Sequence, residues 1–192
     1  MKNDYMIGDT KISIPPTVLF SVIGKIEDLR TAVTMDAKAP GDLVYLLGQT
    51  HDELGGSEYY AMHDQIGCNV PQVDANSAMQ RYRTVNEAQK EGLLASCHDL
   101  SDGGLAVSLA ETAFAGGFGL DINLTKVSVD AAMREDKLLY SESASRLLVT
   151  VKPANQKRFE TLFAGQLSAC IGQVSSDKYL KVVGLQGEVL IR

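Results

Sequence analysis

The chain has 192 residues, 45% of them apolar and 22% charged, a globular balance that excludes a disordered tail, a collagen-like fibre and a low-complexity linker. At this length a fold buries roughly 70% of the surface its unfolded chain exposes, so it needs neither disulfide nor metal staple. The net charge of −6 argues against a nucleic-acid footprint. It does not exclude a phosphorylated ligand, which backbone amides and a bridging metal hold without Lys or Arg.

No apolar run approaches the roughly 20 residues that cross a bilayer, and the opening Met1-Lys2-Asn3-Asp4-Tyr5 lacks the apolar core of a signal peptide. Cys68, Cys97 and Cys170 are odd in number and form no C-x-x-C. That spacing fits reduced thiols and speaks against structural zinc. With no Trp and 6% aromatics, a stacking platform for single-stranded nucleic acid is not expected either. These features together predict a cytoplasmic protein without nucleic-acid or membrane partners.

In chain order, residues 1–17 read as an N-terminal tail closed by Pro15-Pro16, and 18–192 as one domain. Residues 18–23 read as a short buried strand, 36–42 as a loop turning at Pro40-Gly41, and 43–47 as an apolar strand stopped by Gly48. A short helix is expected over 57–65. A long one is expected over 75–91, capped by Asp74 or Asn76 and ended by a left-handed Gly92, with Ala78, Tyr82, Val85 and Gln89 in register and Met79 and Ala88 widening the apolar face. Then come a strand (93–97), a helix over 103–115 apolar on most sides, ended by Gly116-Gly117, and an alternating strand (120–124). The last third predicts a strand (146–151), a helix opened by Pro153 (153–163) and strands at 169–174, 179–183 and 189–191. Alternation with a strand-rich end predicts an α+β fold, a mixed sheet carrying helices.

Three polar segments stand out. His98-Asp99-Leu100-Ser101-Asp102-Gly103-Gly104 joins a strand to a helix. Free N–H groups at such a helix start, with glycines that admit a ligand close to the backbone, make a phosphate cradle. A Mg²⁺ ion on Asp99 would offset the repulsion of two aspartates, and Ser101 can donate to a phosphate oxygen. Capping by Ser101 or Asp102, with Gly103 and Gly104 packing the helix, explains the same pattern. Leu54-Gly55-Gly56-Ser57-Glu58 is a second glycine-rich helix start, with Ser57 as cap and Glu58 suited to the helix dipole. Tyr140-Ser141-Glu142-Ser143-Ala144-Ser145-Arg146 precedes a core strand. It reads either as the wall of a polar cleft or as a solvated loop with a local Glu142–Arg146 pair.

The remaining candidates carry less. Cys97 and His98 are adjacent on a strand and face opposite ways, so they are not a nucleophile–base pair. His51 and His63 lack ligand spacing. Gly24-Lys25-Ile26-Glu27-Asp28 lacks the rest of a phosphate-loop motif and reads as a surface turn.

Taken in order, residues 14–19, 24–28, 40–48, Gly55-Gly56-Ser57-Glu58-Tyr59-Tyr60, 98–105 and 141–146 resemble the C-terminal domain of the aminoimidazole ribonucleotide (AIR) synthetase-related superfamily. Within it they resemble the phosphoribosylformylglycinamidine synthase family, synthetase component. The resemblance implies a three-layer α/β/α fold, partly ferredoxin-like. It also implies a place as the second C-terminal domain of a tandem duplication, with 1–17 following from a preceding nucleotide-binding domain. The implied reaction is ATP-dependent conversion of formylglycinamide ribonucleotide to its amidine. The amide oxygen of this phosphoribosyl substrate is phosphorylated and then displaced by ammonia from a glutaminase partner. By the same resemblance Asp99 is similar to a Mg²⁺ ligand. Ser101 is similar to a nucleotide (ATP or ADP) contact, the glycine-rich helix starts add Gly103, Gly104, Gly55, Gly56 and Ser57 as candidate phosphate contacts, and Glu58, Asp102, Glu142, Ser143 and Arg146 are candidates for the cleft lining. Ala144 replaces a Gln that contacts substrate in the first half of such enzymes. No residue here matches the family's catalytic histidine, so the chain is expected to be inactive alone. The alternatives are an interface domain without a ligand, or the same domain of AIR synthetase or selenophosphate synthetase, against which the Gly-Gly-Ser-Glu-Tyr-Tyr loop argues.

Overall fold

The computed structural model describes residues 4–13 and 19–191, so Pro15-Pro16 and the start of the expected first strand lie outside the described residues. The chain divides into two compact units, Met1–Arg30 and Thr31–Arg192, and position 17 falls inside the first.

In the first unit the expected tail forms a hairpin. Strands β1 (Asp4–Ile7) and β2 (Thr10–Ser13) pair antiparallel, with Tyr5 opposite Ile12. Gly8 turns with φ +59°. Tyr5, Ile7 and Ile12 share one face; on the other, Lys11 pairs with Asp4 at 2.8 Å and Ser13 Oγ donates to Asp4 at 3.0 Å. The buried strand expected at 18–23 is not there: residues 19–23 form no strand, and Leu19, Phe20, Val22 and Ile23 are at least 83% exposed. A strand needs a partner as well as β-forming residues, and among the described residues none pairs with this segment. Residues 24–28 are mostly exposed and form no helix or strand, as a surface turn would.

The second unit is built on a seven-stranded mixed sheet. Its elements are β3 (Leu43–Leu47), α1 (Glu58–Ala61), α2 (Ala75–Lys90), β4 (Leu94–Asp99), α3 (Gly104–Gly116), β5 (Gly119–Asn123), α4 (Glu135–Tyr140), β6 (Leu147–Val151), α5 (Gln156–Leu162), β7 (Ser168–Ser175), β8 (Leu180–Val183) and β9 (Val189–Ile191). The spatial order is β4-β6-β3-β7-β5-β8-β9, antiparallel throughout except for β5 beside β8. In β3-α2-β4 and β6-α5-β7 each crossover skips one strand. This interleaving is the ferredoxin-like arrangement, with α3, β5 and α4 inserted between its halves.

Strand β3 reads Leu-Val-Tyr-Leu-Leu because both its faces are covered, and such strands are continuously apolar. Val44 and Leu46 join Leu105, Leu109, Leu120, Ile122, Leu148 and Ile171 under α3 and α4. Tyr45 and Leu47 join Ala88, Val149, Phe159 and Phe163 under α2 and α5. The result is a helix–sheet–helix sandwich. Asp74 caps α2 through the Asn76 and Ser77 amides, and Gly92 lies beyond the helix at φ +67°, both as expected. Two expectations about helix faces fail. Helix α3 is not buried all round, since Val107 is 38% and Phe114 71% exposed. On α2, Met79 and Tyr82 are about half exposed and only Ala78 and Ala88 are buried. Small residues let α2 approach the sheet closely and leave the larger ones at its margin. Helix α4 has no counterpart in the sequence-based reading.

Candidate functional site

The structure brings the three polar segments together, and Glu142 is the meeting point. Its Oε1 accepts the backbone N–H of Gly103 at 2.8 Å and that of Glu58 at 3.1 Å. One carboxylate oxygen therefore serves the N-terminal ends of both α3 and α1. Helix α3 takes no cap from Ser101 or Asp102: Gly103 holds the cap position at φ +75° with no side-chain bond of its own, and both neighbours are exposed. The carboxylate arriving from residue 142 fills that role, where helix-start amides favour an anion. Ser57 caps α1 as expected, accepting from Tyr60 N at 3.2 Å and donating to Leu54 O at 2.7 Å.

The glycines serve close packing first. A Cβ on Gly104 would stand 2.4 Å from Ser141 O, and one on Gly55 would stand 2.7 Å from the Asn69 backbone. The amides of Gly55 and Gly56 donate to Asn69 O and Ile66 O, and that of Gly104 to Ser101 O. These amides are engaged inside the chain. Close packing is present at Gly104 and Gly55, whereas nothing lies within 4 Å of a Cβ on Gly56, where the left-handed φ of +74° is what calls for glycine.

Arg146 is buried at 1% exposure and makes no local pair with Glu142. Its Nε donates to Ser143 O at 3.0 Å, Nη1 to Thr50 Oγ1 at 2.9 Å and Nη2 to Ser141 O. Burial pulls its pKa down to about 10, against the opposing fields of Glu53 and Glu142, so it stays charged at neutral pH. The segment is thus a wrapped turn around a guanidinium, with Ser143 Oγ accepting from His51 N at 3.0 Å. Glu53, also buried, accepts Gln72 N at 2.9 Å and takes Glu142 N on its own carbonyl at 3.1 Å. Its Oε2 has no partner among the described residues. Arg146 and Ser143 are each 1% exposed and bonded within the chain, so the structure places them beneath the segment rather than on its surface.

At the end of β4, Asp99 is 69% exposed, with one oxygen 3.2 Å from His98 Nδ1. His98 Nε2 lies 2.8 Å from Glu111 on α3, while burial pushes the Cys97 thiol up to about 11 on the opposite face, among the residues under α2 and α5. That split agrees with the strand argument against a Cys–His pair. No cluster of three or more metal-ligating side chains exists among the described residues. The donor set therefore fits Mg²⁺ only as a single carboxylate sharing an ion with ligand phosphates, the usual way Mg²⁺ is held.

On the other side of the same segment, Ala144 and Ser145 line a polar cleft of about 250 Å³ with Gln49, His51, Gln72, Asp74, Arg81 and Leu167. Arg81 Nη1 donates to Ser145 O at 2.7 Å, and burial lowers its pKa. Sequence reasoning missed this wall. In the sequence Arg81 is one of several polar residues of α2, and only a polar position on the sheet side of that helix would signal it.

Residues 39–184 match the family described as AIR synthase related protein, C-terminal domain. Phosphoribosylformylglycinamidine synthase subunit PurL of Alkaliphilus metalliredigens is 43% identical over 144 residues, covering 74% of this chain and 19% of that protein. The chain spans about a fifth of the length of the curated relatives it matches. Among solved structures, Thermotoga maritima PurL complexed with FGAR has a TM-score of 0.74 at 20% identity, covering 85% of this chain and 28% of that one. The same protein complexed with ATP gives a TM-score of 0.68 at 21% identity, covering 85% and 26%. The three-layer sheet, the split ferredoxin-like crossovers and the match over most of the second unit agree: the chain belongs to the family of AIR synthase related protein C-terminal domains.

Proposed function

We propose that the chain is the C-terminal domain of the synthetase component of phosphoribosylformylglycinamidine synthase, an ATP-dependent carbon–nitrogen ligase of purine biosynthesis, and that it is inactive alone. The observation that carries this reading is the convergence of both glycine-rich helix starts on the segment whose far side walls a polar cleft. Nucleotide lies against the exposed Asp99, Ser101 and Asp102. Asp99 adds one carboxylate oxygen to a Mg²⁺ ion held chiefly by the phosphates, and that ion supplies charge neutralisation when bound. The phosphoribosyl amide lies toward the Arg81 cleft. A preceding nucleotide-binding domain completes both surfaces, ammonia comes from a glutaminase partner, and the setting is cytoplasmic.

Calorimetry with Mg²⁺–ADP on the chain joined to that preceding domain tests the reading. Binding is expected, and Asp99→Ala should weaken it roughly tenfold, about 1.4 kcal/mol. Amidine formation by the 192-residue chain alone, given ATP and ammonia, would overturn it. A second reading, an interface domain without a ligand, is favoured by the internal engagement of the Gly55, Gly56, Gly103 and Gly104 amides. It predicts that Asp99→Ala changes nothing.

A further inference from the structure

The two glycine-rich loops come from distant stretches of chain, yet no hydrogen bond or ion pair joins their side chains directly among the described residues. What they share is Glu142 Oε1, 2.8 Å from Gly103 N and 3.1 Å from Glu58 N. The backbone that carries that carboxylate, at Glu142, is itself fixed from behind. Its own N–H is held by Glu53 O, and Arg146 binds the carbonyls on either side of it, of Ser141 and Ser143. Gly104 closes on Ser141 with no room for a Cβ. Local candidates for capping α3, Ser101 and Asp102, stand exposed and unused, so a residue from another segment has displaced them. A cap alone does not require this: a local Ser or Asp satisfies a helix start at less entropic cost.

We propose that Glu142 is a positioning residue that couples the two loops. Its carboxylate is the internal anion to which both helix starts are tied, so the loops hold or lose their geometry together. The amides of Glu58 and Gly103 are then occupied from within the chain, and a ligand phosphate is left the exposed hydroxyl of Ser101. That last consequence rests on the ligase reading; the coupling rests on the two bonds and stands without it.

Amide hydrogen exchange, read residue by residue on the 192-residue chain, tests the coupling, because exchange reports local opening separately from global unfolding. Glu142→Ala should speed exchange at Glu58 and Gly103 alike, by about tenfold or more, while the amides of β3 and β6 keep their protection. Glu142→Gln keeps an acceptor oxygen and should restore protection at both to within about threefold of the native chain. Acceleration at one amide alone, or at neither, would overturn the proposal. Should the alanine variant fail to fold, the glutamine variant decides. Loss of the charge-assisted bonds should then move both amide proton resonances upfield together, and resonances that stay in place would overturn it. Absence of Mg²⁺–ADP binding in the joined domains, with both amides still protected, would count against the ligase reading and leave the coupling intact.

Discussion

Arg146 and Arg81 reach the carbonyls of residues 141–145 from opposite sides, and they differ in how far their donors are engaged. Arg146 lies beneath the turn, 1% exposed, with three of its N–H groups spent on Ser143 O, Thr50 Oγ1 and Ser141 O. Arg81 lies in the cleft wall and has one hydrogen bond, to Ser145 O. The rest of its guanidinium has no partner among the described protein groups. Gly48, at φ +98° just past β3, separates them: a Cβ there would stand 3.1 Å from both Arg146 Cγ and Arg81 Cζ. A fully buried cation whose partners all lie within the chain is architecture, whereas a half-buried cation with spare donors is available to a ligand.

The largest expected effect breaks the architectural side. Arg146→Met keeps much of the volume but leaves Glu53 and Glu142 without their compensating charge and three acceptors without a donor. Removing one partner of a buried charged network costs about 3–5 kcal/mol, and urea unfolding should show a loss of that size with an unchanged m-value. A loss below about 1 kcal/mol would mean the turn holds its shape without the guanidinium. Next in size is the spacer. Gly48→Ala forces a side chain into left-handed backbone and presses on both arginines at once. A cost of about 2–3 kcal/mol is expected. Gly117→Ala provides the scale: φ is +71° and nothing lies within 4 Å of the added Cβ, so backbone strain alone should cost about 1 kcal/mol.

Much of the fold was legible because burial on both faces writes itself into composition. The run at 43–47 and the alternation near 120 were read almost to the residue, as were Asp74 and Gly92 at the ends of α2. The failures have distinct physical sources. The hairpin at 4–13 was missed although Gly8-Asp9 between two short runs is a turn signal. The composition of residues 18–23 predicts a strand, but composition ignores pairing. Helix α4 holds six residues, too few for periodicity to register. At the site, the sequence identified the three segments but misassigned their internal chemistry. A local Glu142–Arg146 pair, four residues apart, is one of the two readings the sequence allows, and neither reading contains the buried guanidinium. The bonds that matter span 39 and 84 residues for Glu142 and 96 for Arg146. Such spans follow from β6 lying between β4 and β3, which sets its start beside the ends of both neighbours.

The smallest stability effect carries the most functional weight. Arg81→Ala removes one hydrogen bond and the positive charge of the cleft, and Arg81 pays for its half-burial with a lowered pKa. Losing the bond and recovering the desolvation oppose each other, so the net change in stability should be about 1 kcal/mol or less, a shift of roughly 2–4 °C in Tm for a domain of this size. Asp74, on the same wall, would then be the cleft's unopposed charge. On the ligase reading, an anionic ligand that Arg81 would attract should then be repelled. Titration of the joined domains with the phosphoribosyl amide should show affinity falling at least about tenfold in Arg81→Ala, with Mg²⁺–ADP binding unchanged. If Arg81→Ala instead unfolds the chain as readily as Arg146→Met, the two arginines share one structural role, and the cleft loses its claim to a ligand.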